Sequence, residues 1–237
     1  MIASFSRSFV FIKTRKTAGT SLEIALAPHC AAQDIVTPIA PEDERLRIAH
    51  GAVLARNYAD PASEAAFAGA VLRGDDRAAR AVMAALGPAG HFYNHMPALL
   101  VRAKVPAAFW AGAFKFAVER HPYEKAVSWA WFQLHRGRRP PTDLAAVLAD
   151  APRFIDDTPA YLIDGRLSVD RLLRYERLDT ELGEVAARLG LPPLNLPRAK
   201  GQIRRDPRPA AEVLTPAQKR AIYDATARTF EIVGYER

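Results

Sequence analysis

The sequence predicts one α/β domain over residues 1–237, built in three layers with a central parallel sheet flanked by helices. Three observations predict it. Apolar, β-prone runs at 9–12 and 114–118 are each followed by a polar turn and a helical stretch. A third strand-to-helix junction follows at 169–189. Finally, 237 residues with 49% hydrophobic and 25% charged side chains can bury one sizeable core, while two would be cramped.

Taken in order, the run from Phe9 to Ile12 has four consecutive apolar residues, as expected of a strand buried on both faces. A small-residue turn spans 17–21, and a helix starts near Leu22, with Thr20 or Ser21 as the N-cap oxygen. The stretch with Pro28, Pro38 and Pro41 is a loop with room for one short strand at 34–37, and 45–55 is ambiguous. Ala-rich residues 61–86 predict one or two surface helices, broken near Gly74 and ended by Gly87 and Pro88. Pro122 suits the first turn of a helix over 123–134, and 144–148 forms another short one. Strand 169–175 leads into a helix to Leu189 that Gly190 ends, and Thr215 caps a last helix to Phe230. No repeat or low-complexity linker divides the chain.

The net charge of +7 fits an acidic ligand: a nucleotide, a polyanionic glycan, nucleic acid or an anionic membrane surface. One cysteine, Cys30, excludes an internal disulfide and suits a reducing, cytoplasmic setting. No apolar run approaches the ~20 residues of a membrane span. Lys13, Arg15 and Lys16 cut the N-terminal apolar patch short with no cleavage site after it, so no signal peptide is expected.

Lys16, Thr17, Ala18, Gly19, Thr20 and Ser21 read as an anion cradle. Free amides and the positive end of the helix dipole face the turn, and Lys16 stands at its mouth. The triphosphate-binding pattern Gly-x-x-x-x-Gly-Lys-Ser/Thr is not met, because the lysine precedes Gly19 by three positions. Further on, Arg120 ends a strand and Ser128 follows it by eight positions, a planar fork and a hydroxyl two helical turns apart. His91 and His95 are four apart, but Gly90 and Pro97 argue against a helix and no third ligand is evident, so no metal site is predicted.

The order Lys16-Thr17-Ala18-Gly19-Thr20-Ser21 resembles the 5′-phosphosulfate loop of sulfotransferases that use 3′-phosphoadenosine 5′-phosphosulfate. Arg120, Pro122 and Ser128 resemble the 3′-phosphate motif of the same family, and the run from Arg174 to Leu178 resembles a late junction of bacterial members. The resemblance implies a P-loop-like domain that moves a sulfuryl group to an acceptor hydroxyl, on a carbohydrate or glycolipid, with neither a metal nor nucleic acid expected. It further implies Lys16 and His95 as catalytic residues, His95 as the base, with Glu42 to Glu44 and His50 as alternatives. Thr17, Ala18, Gly19, Thr20, Ser21, Arg120 and Ser128 would hold the nucleotide, joined by Lys200, Gly201 and Arg204 of a late basic loop. Residues 42–88 are expected to line the acceptor side. Three positions depart from the pattern: Arg15 stands where Pro is frequent, Glu119 where an apolar residue is usual, and His121 where Asn or Asp is usual. Glu119 must therefore point away from the anion site or pair with Arg120. An ATP-dependent phosphotransferase of the same fold and a non-catalytic binder of acidic polymers are the rival readings.

Overall fold

A computed structural model describes residues 1–86, 91–137, 144–197, 203–204 and 206–237. Its centre is a five-stranded sheet in the order β3 (Ile35–Val36), β1 (Ile2–Ser4), β2 (Phe9–Ile12), β4 (Phe114–Glu119), β7 (Arg171–Arg174). β2, β4 and β7 run parallel, as expected, but β1 is antiparallel to both of its neighbours, so the sheet is mixed. β1 has three residues, too few for a periodic signal. A tight turn with Ser8 at φ 52° folds it back against β2.

Side-chain alternation makes the layers. Phe9 and Phe11 of β2 join Phe116 and Val118 of β4 on one face, against Leu22 and Leu26 of α1 (Gly19–Leu26). Later in the chain, α10 (Leu178–Arg188) adds Leu182 and Val185 to that side. Val10, Ile12 and Ala117 point to the other face. There they meet α5 (Ala98–Lys104), whose neighbour is α6 (Ala107–Gly112), and α9 (Thr158–Tyr161). The result is α/β/α, with every residue of β2 fully buried.

The ambiguous stretch resolves into α2 (Pro41–Ala49), which starts with Pro41 at its first position. The Ala-rich segment is two helices, α3 (Pro61–Leu72) and α4 (Asp76–Ala85), each N-capped by an Asp, Asp60 and Asp75. Gly87 and Pro88 lie outside the described residues. α7 (Pro122–His135), α8 (Leu144–Asp150), α11 (Ala210–Val213) and α12 (Pro216–Val233) share a satellite core built on Val127, Leu148, Ile222 and Phe230. A capping box between Thr215 and Gln218 opens α12, and Gly234 closes it at φ 71°. A small hairpin of β5 (Leu162–Ile163) and β6 (Arg166–Leu167) turns on Asp164 and Gly165, both at positive φ. Among the described residues no helix is long and apolar enough to cross a membrane.

Phe116 is fully buried, with its ring 5.2 Å from that of Phe11. Phe116→Ala is expected to cost about 3–5 kcal/mol of folding stability. Leu72→Ala, at a site 67% exposed, should stay within about 0.5 kcal/mol. Urea denaturation of the two variants checks both.

Candidate functional site

The loop between β2 and α1 is shaped from below by buried charge. Glu23, on the inner side of α1, is fully buried and accepts from Lys13 Nζ at 2.5 Å and from the Met1 α-ammonium. Burial would raise its pKa, but Lys13, the α-ammonium and Arg47 together hold it at about 2. Lys13 therefore lies folded beneath the helix start. A Cβ on Gly19 would come within 2.6 Å of Lys13 Cγ, so this close approach requires glycine.

Above that layer the backbone turns sharply. Lys16 and Ala18 both take left-handed conformations, at φ 61° and 59°. Ala18 is the N-cap residue of α1, where Thr20 or Ser21 was expected, and no side chain caps the helix. The first bond of α1 runs from Leu22 N–H to Ala18 C=O. The amides of Gly19, Thr20 and Ser21 are thus helix-start N–H groups, the kind of donor set that can hold an anion. A left-handed residue followed by helical ones also gathers successive N–H groups into a concave nest. The Thr17 hydroxyl is engaged elsewhere: it bonds to Thr14 Oγ1 at 2.8 Å, and Thr14 Oγ1 donates to Val118 C=O on β4.

The cradle opens into a cleft of about 920 Å³, within the range of nucleotide and cofactor sites. Lys16 to Ser21, His95, Arg120, Ser128 and Arg204 all line it, so side chains from five separate segments converge. Lys200 and Gly201 lie outside the described residues. None of the described residues from 42 to 86 lines the cleft. Glu44 is buried against Arg47 at 2.9 Å, Glu42 pairs with Arg80 at the surface, and His50 is exposed, so these alternative bases have no access to the cradle. They belong to the α2–α4 side of the molecule, which the cleft does not reach.

Arg120 sits at the carboxyl end of β4 with its guanidinium 4.3 Å over the Tyr175 ring. Its Nη2 is 3.5 Å from Glu124, whose carboxylate also takes Arg204 Nη1 at 2.5 Å. Among the described residues, the buried Arg120 Nε has no hydrogen-bond partner, a donor still to be satisfied. Comparisons with protein-family models, with curated proteins and with solved structures gave no match to this chain.

His95 lines the same cleft as Lys16. Its Nδ1 lies 3.1 Å from the Lys13 carbonyl, which can only accept, so Nδ1 carries the proton and Nε2 keeps its lone pair. Burial, then the like charge of Lys13 and of the Met1 α-ammonium, pull its pKa down to about 3, so the ring is neutral at pH 7. His91 is buried against Tyr93 and takes no part. Among the described residues no group of His, Cys, Asp or Glu could hold a metal ion.

The outer wall was not foreseen. Phe132 lies four positions after Ser128, one turn further along the same face of α7, and carries Lys16 Nζ at 4.0 Å above its ring and Arg136 at 5.1 Å. Trp129 stacks on the exposed Phe154 at 5.0 Å. Helical spacing from Ser128 could have found Phe132, but nothing local points to Phe154.

The three departures have local reasons. His121 does the work of a capping Asn or Asp, since its Nδ1 accepts from Tyr123 N–H at 3.3 Å while Nε2–H donates to Glu236 C=O at 3.0 Å. Arg15 N–H donates to Asp157 Oδ2 at 2.7 Å, a bond that proline could not make. Glu119 turns inward to Lys125 at 2.7 Å and to Tyr161 OH at 3.1 Å, and meets Arg120 through that residue's backbone amide, so its charge stays out of the cleft.

Glu23 gives a pH dependence. Its pKa is depressed in the fold, so its contribution is complete above the ordinary value of 4.5 and is lost as pH falls through about 2. The stability gap between wild type and Glu23→Gln should therefore narrow from pH 4.5 downward, as read by urea midpoints across that range. A gap that stays constant to pH 2 would contradict the assigned ion pair.

Proposed function

We propose that this chain is a sulfotransferase using 3′-phosphoadenosine 5′-phosphosulfate, with a P-loop-like domain and an acceptor hydroxyl on a carbohydrate or glycolipid. One observation carries the reading. A single cleft joins an uncapped helix start with the Arg120 guanidinium and a neutral histidine, in the order the two sequence motifs require. Two features fit the nucleotide's two ends: the uncapped start of α1, and the buried Nε of Arg120, which has no hydrogen-bond partner among the described residues.

The co-substrate supplies the activated sulfuryl group. The chain's own residues bind and orient it. Amides of Gly19, Thr20 and Ser21 hold the 5′ end, while Arg120 and Ser128 hold the 3′-phosphate that separates this donor from ATP. Arg204 and Tyr175 border that second site. Lys16, parked over Phe132, is the cation that meets charge building on the leaving group. His95 Nε2 receives the proton of the acceptor hydroxyl. Negative charge bound in the cleft opposes the part of the His95 shift that comes from Lys13 and the α-ammonium and raises the imidazole pKa. As in phosphoryl transfer, positioning and charge stabilisation supply most of the rate. The acceptor enters past Trp129 and Phe132. A cytoplasmic setting is part of the same proposal.

Calorimetry without metal tests the donor site. Adenosine 3′,5′-bisphosphate should bind better than ATP or AMP. Arg120→Ala should weaken the bisphosphate by about 30-fold or more, with AMP little changed. Lys16→Ala should abolish sulfuryl transfer while melting like the wild type. Equal or tighter binding of ATP would move the assignment to a phosphotransferase. Salt-sensitive binding of a polyanion that survives Lys16→Ala would move it to a non-catalytic binder.

A further inference from the structure

We propose that Asp157, Lys125 and Glu119 are positioning residues, a buried ionic relay that sets the spacing between the α1 cradle and the Arg120 grip. The proposal deepens the donor-site reading above and rests on it for its ligand.

The relay can be followed atom by atom. Arg15 N–H donates to Asp157 Oδ2 at 2.7 Å. The same oxygen lies 2.7 Å from Lys125 Nζ. Lys125 Nζ also donates to Glu119 Oε1 at 2.7 Å, and that oxygen accepts Arg120 N–H at 2.9 Å. One carboxylate oxygen at each end is thus shared between the central ammonium and a backbone amide next to an anion-binding segment. The remaining oxygens are engaged too, Asp157 Oδ1 by Arg15 Nε at 2.6 Å and Glu119 Oε2 by Tyr161 OH at 3.1 Å.

Geometry explains why such a relay has work to do. β2 and β4 are neighbours, but their ladder ends at Ile12 opposite Ala117. Arg15 and Arg120 both lie beyond it, where the β2–β4 ladder has given way to side-chain contacts, Thr14 Oγ1 to Val118 C=O and then the relay. The three central side chains are almost wholly buried, at 4%, 2% and 0% exposure. Moving either end strands a charge in the interior, and breaking such a pair is strongly unfavourable. Arg15 N–H donates into one end of this relay and Arg120 N–H into the other.

Asp157→Asn and Glu119→Gln test it, with melting temperatures recorded alongside. Each phosphate site should survive alone, so 5′-AMP should bind within about twofold of wild type. The preference for adenosine 3′,5′-bisphosphate over 5′-AMP should fall by about tenfold, because the two sites no longer act at matched spacing. A second readout needs no ligand. The Arg120 amide resonance should shift in Asp157→Asn, and the Arg15 amide resonance in Glu119→Gln. A folded variant with unchanged preference and an unmoved distant amide overturns the relay. If the wild type itself shows no preference for the bisphosphate, the donor-site reading falls and the amide shifts alone decide the relay. Should Asp157→Asn not fold, Glu119→Gln carries the test.

Discussion

The ion pair of Lys13 with Glu23 is the constraint on which the site depends. A carboxylate on the inner face of α1 is tolerable in the core because two cations reach it, Lys13 from the end of β2 and the α-ammonium of Met1 from the edge of β1. To make that contact Lys13 must run under the helix start. Its path demands glycine at position 19, and its carbonyl fixes the tautomer of His95. Helix entry, loop shape and the proton state of the candidate base thus follow from one buried interaction.

Charge is partitioned by depth. Beneath the cleft, Lys13, Lys125, Glu23, Glu119 and Asp157 are buried and mutually paired. At the cleft surface, Lys16 lies over an aromatic ring, Arg204 pairs with Glu124, and Arg120 has a 3.5 Å contact with the same carboxylate and an Nε without a hydrogen-bond partner among the described residues. Paired charges below give rigidity.

His121, Arg15 and Glu119 each meet a local need. A ring nitrogen caps α7 as an Asn or Asp side chain would, while the Arg15 amide and the Glu119 carboxylate are held by buried partners. Chemistry at the atom level, an acceptor here and a donor there, is what each position needs.

The sequence by itself determined the strand at Phe9–Ile12, a second at 114–118 that in the fold runs one residue further, and the helices that follow them. Those signals are local: apolar runs, small-residue turns, capping residues and helix-start prolines act over a few neighbours. Tertiary structure alone decided the rest. β1 is too short to carry a pattern, and its antiparallel pairing depends on a partner strand rather than on its own residues. The N-cap moved to Ala18 because the buried Lys13 sets where the helix can begin. Asp157 meets Arg15 across 142 residues of chain, and Thr14 meets Val118 across 104, contacts with no trace in local spacing. Long-range charge pairing depends on which side chains the packed layers bring together, and that is a property of the folded whole.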